Sequence, residues 1–203
     1  MKGCVVAGIG TEIGKTVVSA VLVEAFEADY WKPVQSGGLD HTDTDEVRSL
    51  VSATNRVFHP EGYRLEVPAS PHASAAAAGV TIDPVKLSLP QTDRFLVVEL
   101  AGGLLVPLND TSLNIDLLEG WGLPVVLVSN YYLGSINHTL LSIESLKRRN
   151  IPLAGLVFNG EQVPETRSVI LSYSGERVLL DLPQTDQVTP DFVRAQAKEV
   201  ADV

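Results

Sequence analysis

The chain has 203 residues, 45% of them hydrophobic and 20% charged, a length and balance that suit one packed domain and exclude a disordered chain. Its 25 acidic against 15 basic residues give a formal net charge of -10. That argues against general binding to nucleic acid or anionic membrane, although a few local donors still suffice for a phosphate ligand.

The N-terminus runs straight into a strand-like segment, with no basic region, apolar core and cleavage site, so no secretory signal is read. No stretch of about 18 apolar residues is present to span a membrane. The expectation is a soluble cytoplasmic protein with a single domain over residues 1–203. The lone cysteine, Cys4, allows no intrachain disulfide, and its apolar neighbours predict a core residue.

Gly3 to Ala7 reads as a first buried strand, rich in small and β-branched residues. Gly8-Ile9-Gly10-Thr11-Glu12-Ile13-Gly14-Lys15-Thr16 follows it and opens an almost wholly apolar helix, predicted from Thr16 to Ala28. A phosphate loop needs that context, because backbone N–H groups and a helix N-terminus then converge on an anion. In such a loop Lys15 reaches the β- and γ-phosphates, and the Thr16 hydroxyl ligates Mg²⁺. Gly8 stands one residue further from Gly-Lys-Thr than the strict motif has it.

Tyr30–Trp31 is a short strand before Lys32 and Pro33, and Gln35 to Thr44 reads as a loop. The acidic run from Asp40 to Glu46 suits either a solvated helix start or a metal ligand, with Asp43 and Asp45 equally placed. Val67 to Pro71 is a second loop, ending in a helix start with Ser70 as N-cap and Pro71 first in the helix. Phe95 to Leu100 is a strand that places Glu99 near its C-terminal end, where open α/β sheets bind ligands. Ala101-Gly102-Gly103 then lets the backbone pass close to a phosphate.

Further strands are predicted at Val125 to Val128, Ala154 to Phe158 and Val178 to Leu182. Between them, Asn137 to Arg149 reads as a helix with Leu140, Ile143 and Leu146 on one face. Lys147, Arg148 and Arg149 sit at its C-terminal end, and Asn150 and Pro152 stop it. From Gln184 onward the chain is polar and gives no firm pattern. Alternating strands and helices predict an α/β, P-loop NTPase-like, doubly wound fold with a mostly parallel sheet and helices on both faces. Histidines are scattered and carry no zinc-type spacing, and no Gly-x-Ser-x-Gly or Cys–His arrangement points to nucleophilic hydrolysis.

Taken in order, the motifs resemble the dethiobiotin synthetase family, ATP-dependent ligases that close the ureido ring in biotin synthesis. Gly8 to Thr16 is similar to its Gly-x-x-Thr-x-x-Gly-Lys-Thr loop, which accounts for the extra residue. Lys32-Pro33-Val34-Gln35-Ser36-Gly37 resembles its Lys-Pro-Val-x-Ser/Thr-Gly segment, and Pro68-Ala69-Ser70-Pro71-His72 its Pro-x-Ser-Pro-His stretch. Val98-Glu99-Leu100-Ala101-Gly102-Gly103 and Leu133-Gly134-Ser135-Ile136-Asn137-His138 complete the series.

The resemblance implies roles. Thr16, Glu99 and an aspartate would hold Mg²⁺. Asp43 fits that aspartate best, since Val47 and Leu50 then fall on the family's apolar helix positions, with Asp45 as the rival. Lys15 and Lys32 would be catalytic, Ser36 would meet the substrate, and Thr11 would lie nearby. Glu12, Ile13, Gly14, Val17, Leu100, Ala101 and Gly102 would surround the ATP phosphates. Asn159 would read the adenine beside Gly160, with Leu182 and Pro183 as an apolar wall. Gly134, Ser135, Ile136 and Asn137 would reach the substrate carboxylate of the other subunit in a homodimer. Leu100 stands where the family usually has glycine, which predicts less room near the phosphates. The substrates implied are 7,8-diaminononanoate, CO₂ and ATP. A switch-type P-loop ATPase driven by a protein partner is the alternative, although Gly10 and the single loop lysine count against it.

Overall fold

The computed structural model describes residues 2–52 and 55–203. Seven strands form one sheet: β1 (Gly3–Gly8), β2 (Asp29–Trp31), β4 (Phe58–His59), β6 (Leu96–Gly103), β7 (Val125–Asn130), β8 (Leu153–Asn159) and β9 (Val178–Leu182). Their order is β4-β2-β6-β1-β7-β8-β9, and every pairing is parallel. β1 lies at the centre, wholly buried, as its run of small and β-branched residues requires. The chain winds to one side of β1 first and to the other after β6, so loops at the C-terminal ends of these strands diverge around a crevice.

Among the described residues, seven α-helices cover the faces. α1 (Lys15–Ala25), α2 (Asp43–Leu50) and α7 (Pro190–Ala197) share a core with Val6, Val97 and Val126 on one side. α3 (Pro71–Ala77), α4 (Asn114–Trp121), α5 (Ser135–Arg148) and α6 (Pro164–Ser174) pack with Val5, Val98 and Leu127 on the other. Alternation along β6 decides which side each residue meets: Leu96, Val98 and Leu100 enter the second core, while Val97 enters the first.

Six of the sheet strands and α5 fall where the sequence predicts, within a few residues at their ends, whereas the two-residue edge strand β4 has no predicted counterpart. α1 stops at Ala25, short of the predicted Ala28, because Glu27 turns into a left-handed conformation (φ 51°) and Ala28 bonds back to Val23. The predicted loop from Gln35 is partly ordered. Val34–Ser36 forms β3, which pairs with β5 (Tyr63–Leu65) in a separate two-stranded sheet. Asp43 and Thr44 already belong to α2. The polar C-terminal stretch contains α7, begun by Thr189 as N-cap and Pro190 in the first turn, and held by Val193 against α1.

The start of α2 is fixed by a capping box. The Asp45 backbone N–H donates to Thr42 Oγ1, and the Thr42 N–H donates to the Asp45 carboxylate. Thr42→Ala removes that cap, and a loss of about 1 kcal/mol in unfolding free energy is expected on the usual scale for N-cap threonines. Urea denaturation measures it; an unchanged midpoint would contradict the assigned cap.

Candidate active site

The loop after β1 reaches the N-terminus of α1 through two left-handed residues, Glu12 (φ 57°) and Gly14 (φ 90°). At Gly14 a Cβ would lie 2.2 Å from Asn159 Nδ2, so glycine is required by both backbone and space. That Asn159 amide donates to the Ile13 carbonyl at 2.9 Å and ties the end of β8 to the loop. Lys15 Nζ donates to the Gly10 carbonyl at 2.8 Å, folded back over the loop. Burial pulls the Lys15 pKa down to about 8, and the Lys32 charge adds to this, while Glu99 and Asp43 oppose it.

Glu99 is the fourth residue of β6, 1% exposed, and three donors converge on it. Thr16 Oγ1 from α1 donates to Oε1 at 3.1 Å, Lys32 Nζ just beyond β2 to Oε1 at 3.0 Å, and the Tyr30 hydroxyl to Oε2 at 2.9 Å. A buried carboxylate persists only when compensated in this way. Asp43, the first residue of α2, forms an ion pair with the same Lys32 ammonium. Burial works to lower the Lys32 pKa, but the Glu99 and Asp43 charges and hydrogen bonds outweigh it, so Lys32 stays charged above its ordinary value.

These groups wall one cavity of about 700 Å³. The cavity brings together Thr11, Glu12, Ile13, Gly14, Lys15, Thr16, Lys32, Ser36, Asp43, Glu99, Ala101 and Gly102. A second cavity of about 570 Å³ is lined by Val17, Asn159, Gly160, Leu182 and Pro183, together with Asn130, Tyr131 and others. Asp45 stands apart, committed to the Thr42 cap and to Arg48, which hold its carboxyl below the ordinary range. Of the two aspartates, Asp43 is the one that lines this cavity.

One expectation changes. Leu100 does not narrow the phosphate cavity; the pleat of β6 turns its side chain into the opposite core, at 1% exposure, and it lines neither cavity. Gly134, Ser135, Ile136 and Asn137, at the N-terminus of α5, line neither cavity of their own chain, which accords with residues expected to reach a second subunit; Ser135 is buried and the other three are exposed. Sequence reading missed Tyr30, which it counted only as a strand residue. Its neighbour two positions on, Lys32, was visible through its motif, whereas the Tyr30–Glu99 contact spans 69 residues.

The Glu99 and Asp43 carboxylates meet at the Lys32 ammonium and the Thr16 hydroxyl bonds to Glu99, a hard-oxygen set already arranged beside a positive charge. Such a set is suited to a hard cation like Mg²⁺, which takes one or two carboxylates and completes its shell with water and phosphate oxygens. Among the described residues no group of three or more His, Cys, Asp or Glu forms an all-protein cage.

Residues 2–191 match the AAA domain family model described as AAA_26. An ATP-dependent dethiobiotin synthetase from Cytophaga hutchinsonii is 46% identical over 203 residues, covering 100% of this chain and 98% of the relative. One from Rhodopseudomonas palustris strain BisA53 is 50% identical over 191 residues, covering 94% of this chain and 90% of the relative. The chain belongs to the dethiobiotin synthetase family. Among solved structures, a ParA family ATPase from Chlorobium tepidum aligns with a TM-score of 0.59 at 13% identity, covering 98% of this chain and 91% of that one. The cell division ATPase MinD from Pyrococcus furiosus aligns with a TM-score of 0.58 at 16% identity, covering 98% of each. At such identities the likeness establishes the P-loop fold alone.

The three-donor arrangement at Glu99 yields a stability prediction. Tyr30→Phe keeps the ring and leaves Glu99 Oε2 without its buried donor, so a loss of about 1–3 kcal/mol is expected by equilibrium unfolding. No loss would mean that the hydroxyl does not serve the carboxylate.

Proposed function

We propose that this chain is an ATP-dependent dethiobiotin synthetase, working as one ligase domain over residues 1–203. It closes the ureido ring of 7,8-diaminononanoate with CO₂. The observation that carries this reading is the single cavity in which the phosphate loop, Lys32, Ser36, Asp43 and Glu99 meet, within a chain nearly half identical to dethiobiotin synthetases over almost its whole length. The switch-ATPase alternative is supported by nothing beyond the shared fold.

One amine of the substrate first forms a carbamate with CO₂, making an N–C bond and losing a proton. A carbamate oxygen then attacks the γ-phosphorus, and the bond to ADP breaks, giving a carbamic–phosphoric mixed anhydride. The second amine attacks the carbamoyl carbon and loses a proton, and phosphate leaves with the oxygen that had attacked it. Little covalent work falls to the protein, so positioning and charge neutralisation supply the rate.

Lys15 and Lys32 are the cations assigned to that task. Lys15 leaves the Gly10 carbonyl for the β- and γ-phosphates, and Lys32 holds the carbamate oxygens without becoming covalently modified. Loop backbone from Glu12 to Val17 cradles the phosphates, with Ala101 and Gly102 passing beside them. Thr16, Asp43 and Glu99 would hold Mg²⁺, which supplies charge neutralisation at the transferring phosphoryl group when bound. Asn159 and Gly160, against Leu182 and Pro183, form the adenine end, and Thr11 and Ser36 face the diamine.

We further assign a homodimer in which Gly134 to Asn137 of one subunit binds the substrate carboxylate of the other. Support comes from the 14-residue α5, whose free N-terminal N–H groups suit a carboxylate. The fully exposed Leu133 and the exposed Ile136 and Leu141 nearby give an apolar face for a partner. A cytoplasmic setting completes the reading; among the described residues no helix is long and apolar enough to cross a membrane.

Phosphate release from Mg-ATP should require both 7,8-diaminononanoate and bicarbonate, with a cyclic urea appearing in the product mass spectrum. Release indifferent to the diamine would return the chain to the switch-ATPase class. Lys32→Gln should lower kcat by about 10²-fold or more while nucleotide affinity stays within a few-fold, on the scale of losing one transition-state donor. Undiminished turnover would sink the Lys32 assignment.

A further inference from the structure

Gln35 is the central residue of β3 and is absent from every role assigned above. It lines the same 700 Å³ cavity as Lys32 and Ser36, yet only 6% of it is exposed. Its Nε2 donates to the Gly37 carbonyl at 2.9 Å, which fixes the orientation of the amide. Its Oε1 is then the remaining polar atom, buried and without a donor among the described residues. Buried acceptors are nearly always paired, and one left unpaired costs free energy.

The chemistry of the cavity indicates what pairs with it. Lys15 and Lys32 offer positive charge to anionic oxygens, and the Glu99 and Asp43 carboxylates already hold cationic or hydroxyl donors. Gln35 Oε1 instead offers an unused acceptor, which selects a ligand N–H. Building on the proposed reaction, we propose that Gln35 Oε1 accepts a hydrogen bond from a substrate amine and so serves as a specificity-determining residue for the diamine.

A neutral amide suits this task better than a carboxylate. It orients an amine through one N–H and leaves the nitrogen lone pair free to attack. A carboxylate at the same place would favour the ammonium form, which has no lone pair to give. A site built around a substrate N–H also rejects analogues lacking it, because its own polar group is then left unpaired.

Gln35→Leu keeps most of the volume and removes the acceptor. It is expected to raise KM for 7,8-diaminononanoate about tenfold or more, with KM for ATP changed less than about threefold. Inhibition by 7-aminononanoate and 8-aminononanoate supplies the second readout. The variant should bind one of the two analogues more weakly than wild type and the other equally well, a pattern that a general loosening of the cavity does not produce. Equal effects on both analogues, or an unchanged KM for the diamine, overturn the inference while leaving the ligase reading intact. Wild-type enzyme that does not turn over the diamine overturns both. If Gln35→Leu does not fold, Gln35→Glu provides the test. It keeps an acceptor, so diamine affinity should be retained while kcat falls about tenfold or more; an unchanged kcat overturns the inference.

Discussion

Placing one carboxylate in the buried middle of a central strand constrains everything around it. Desolvating Glu99 costs several kcal/mol unless donors surround it, and this chain supplies them from separate elements: Thr16 at the start of α1, Lys32 and Tyr30 at and just beyond β2. Each donor fixes the segment that carries it. The N-terminus of α1, Lys32 and the middle of β6 between them are therefore registered to one another through a single side chain. Asp43 extends the cluster to α2 through the Lys32 ammonium.

The parallel sheet makes that convergence possible. Because every strand points the same way, the loops after β1, β2, β6 and β8 all emerge at one edge, and strand alternation then sorts their side chains. Glu99 turns toward α1 and its neighbour Leu100 turns into the opposite core. A glycine-to-leucine difference that looks obstructive in a linear motif is thereby harmless to the cavity, and it adds apolar burial on the other face instead.

Much of this was legible because the decisive signals are local. The phosphate loop is a contiguous string between an apolar strand and an apolar helix, Glu99 ends an apolar run, and α5 announces itself by period and by its basic end. What stayed hidden depends on distant partners. Tyr30 is an ordinary strand residue until β6 brings Glu99 beside it, and Gln35 looks like loop until β3 pairs with Tyr63–Leu65. Choosing Asp43 over Asp45 required knowing which face of α2 meets Lys32. The helix α7 did carry a readable signal in Thr189 and Pro190, but its polar surroundings concealed the few residues, Val193 foremost, that hold it on α1.

The chemical account turns on one bond, formed between a carbamate oxygen and the γ-phosphorus within the cavity that joins the phosphate loop to Lys32. The most direct test is to run the reaction briefly with ¹⁸O-labelled bicarbonate, before label exchanges with water, and to weigh the released phosphate. Phosphate carrying one ¹⁸O for each dethiobiotin formed is the predicted result. Phosphate without the label, drawing its new oxygen from solvent, would contradict the account.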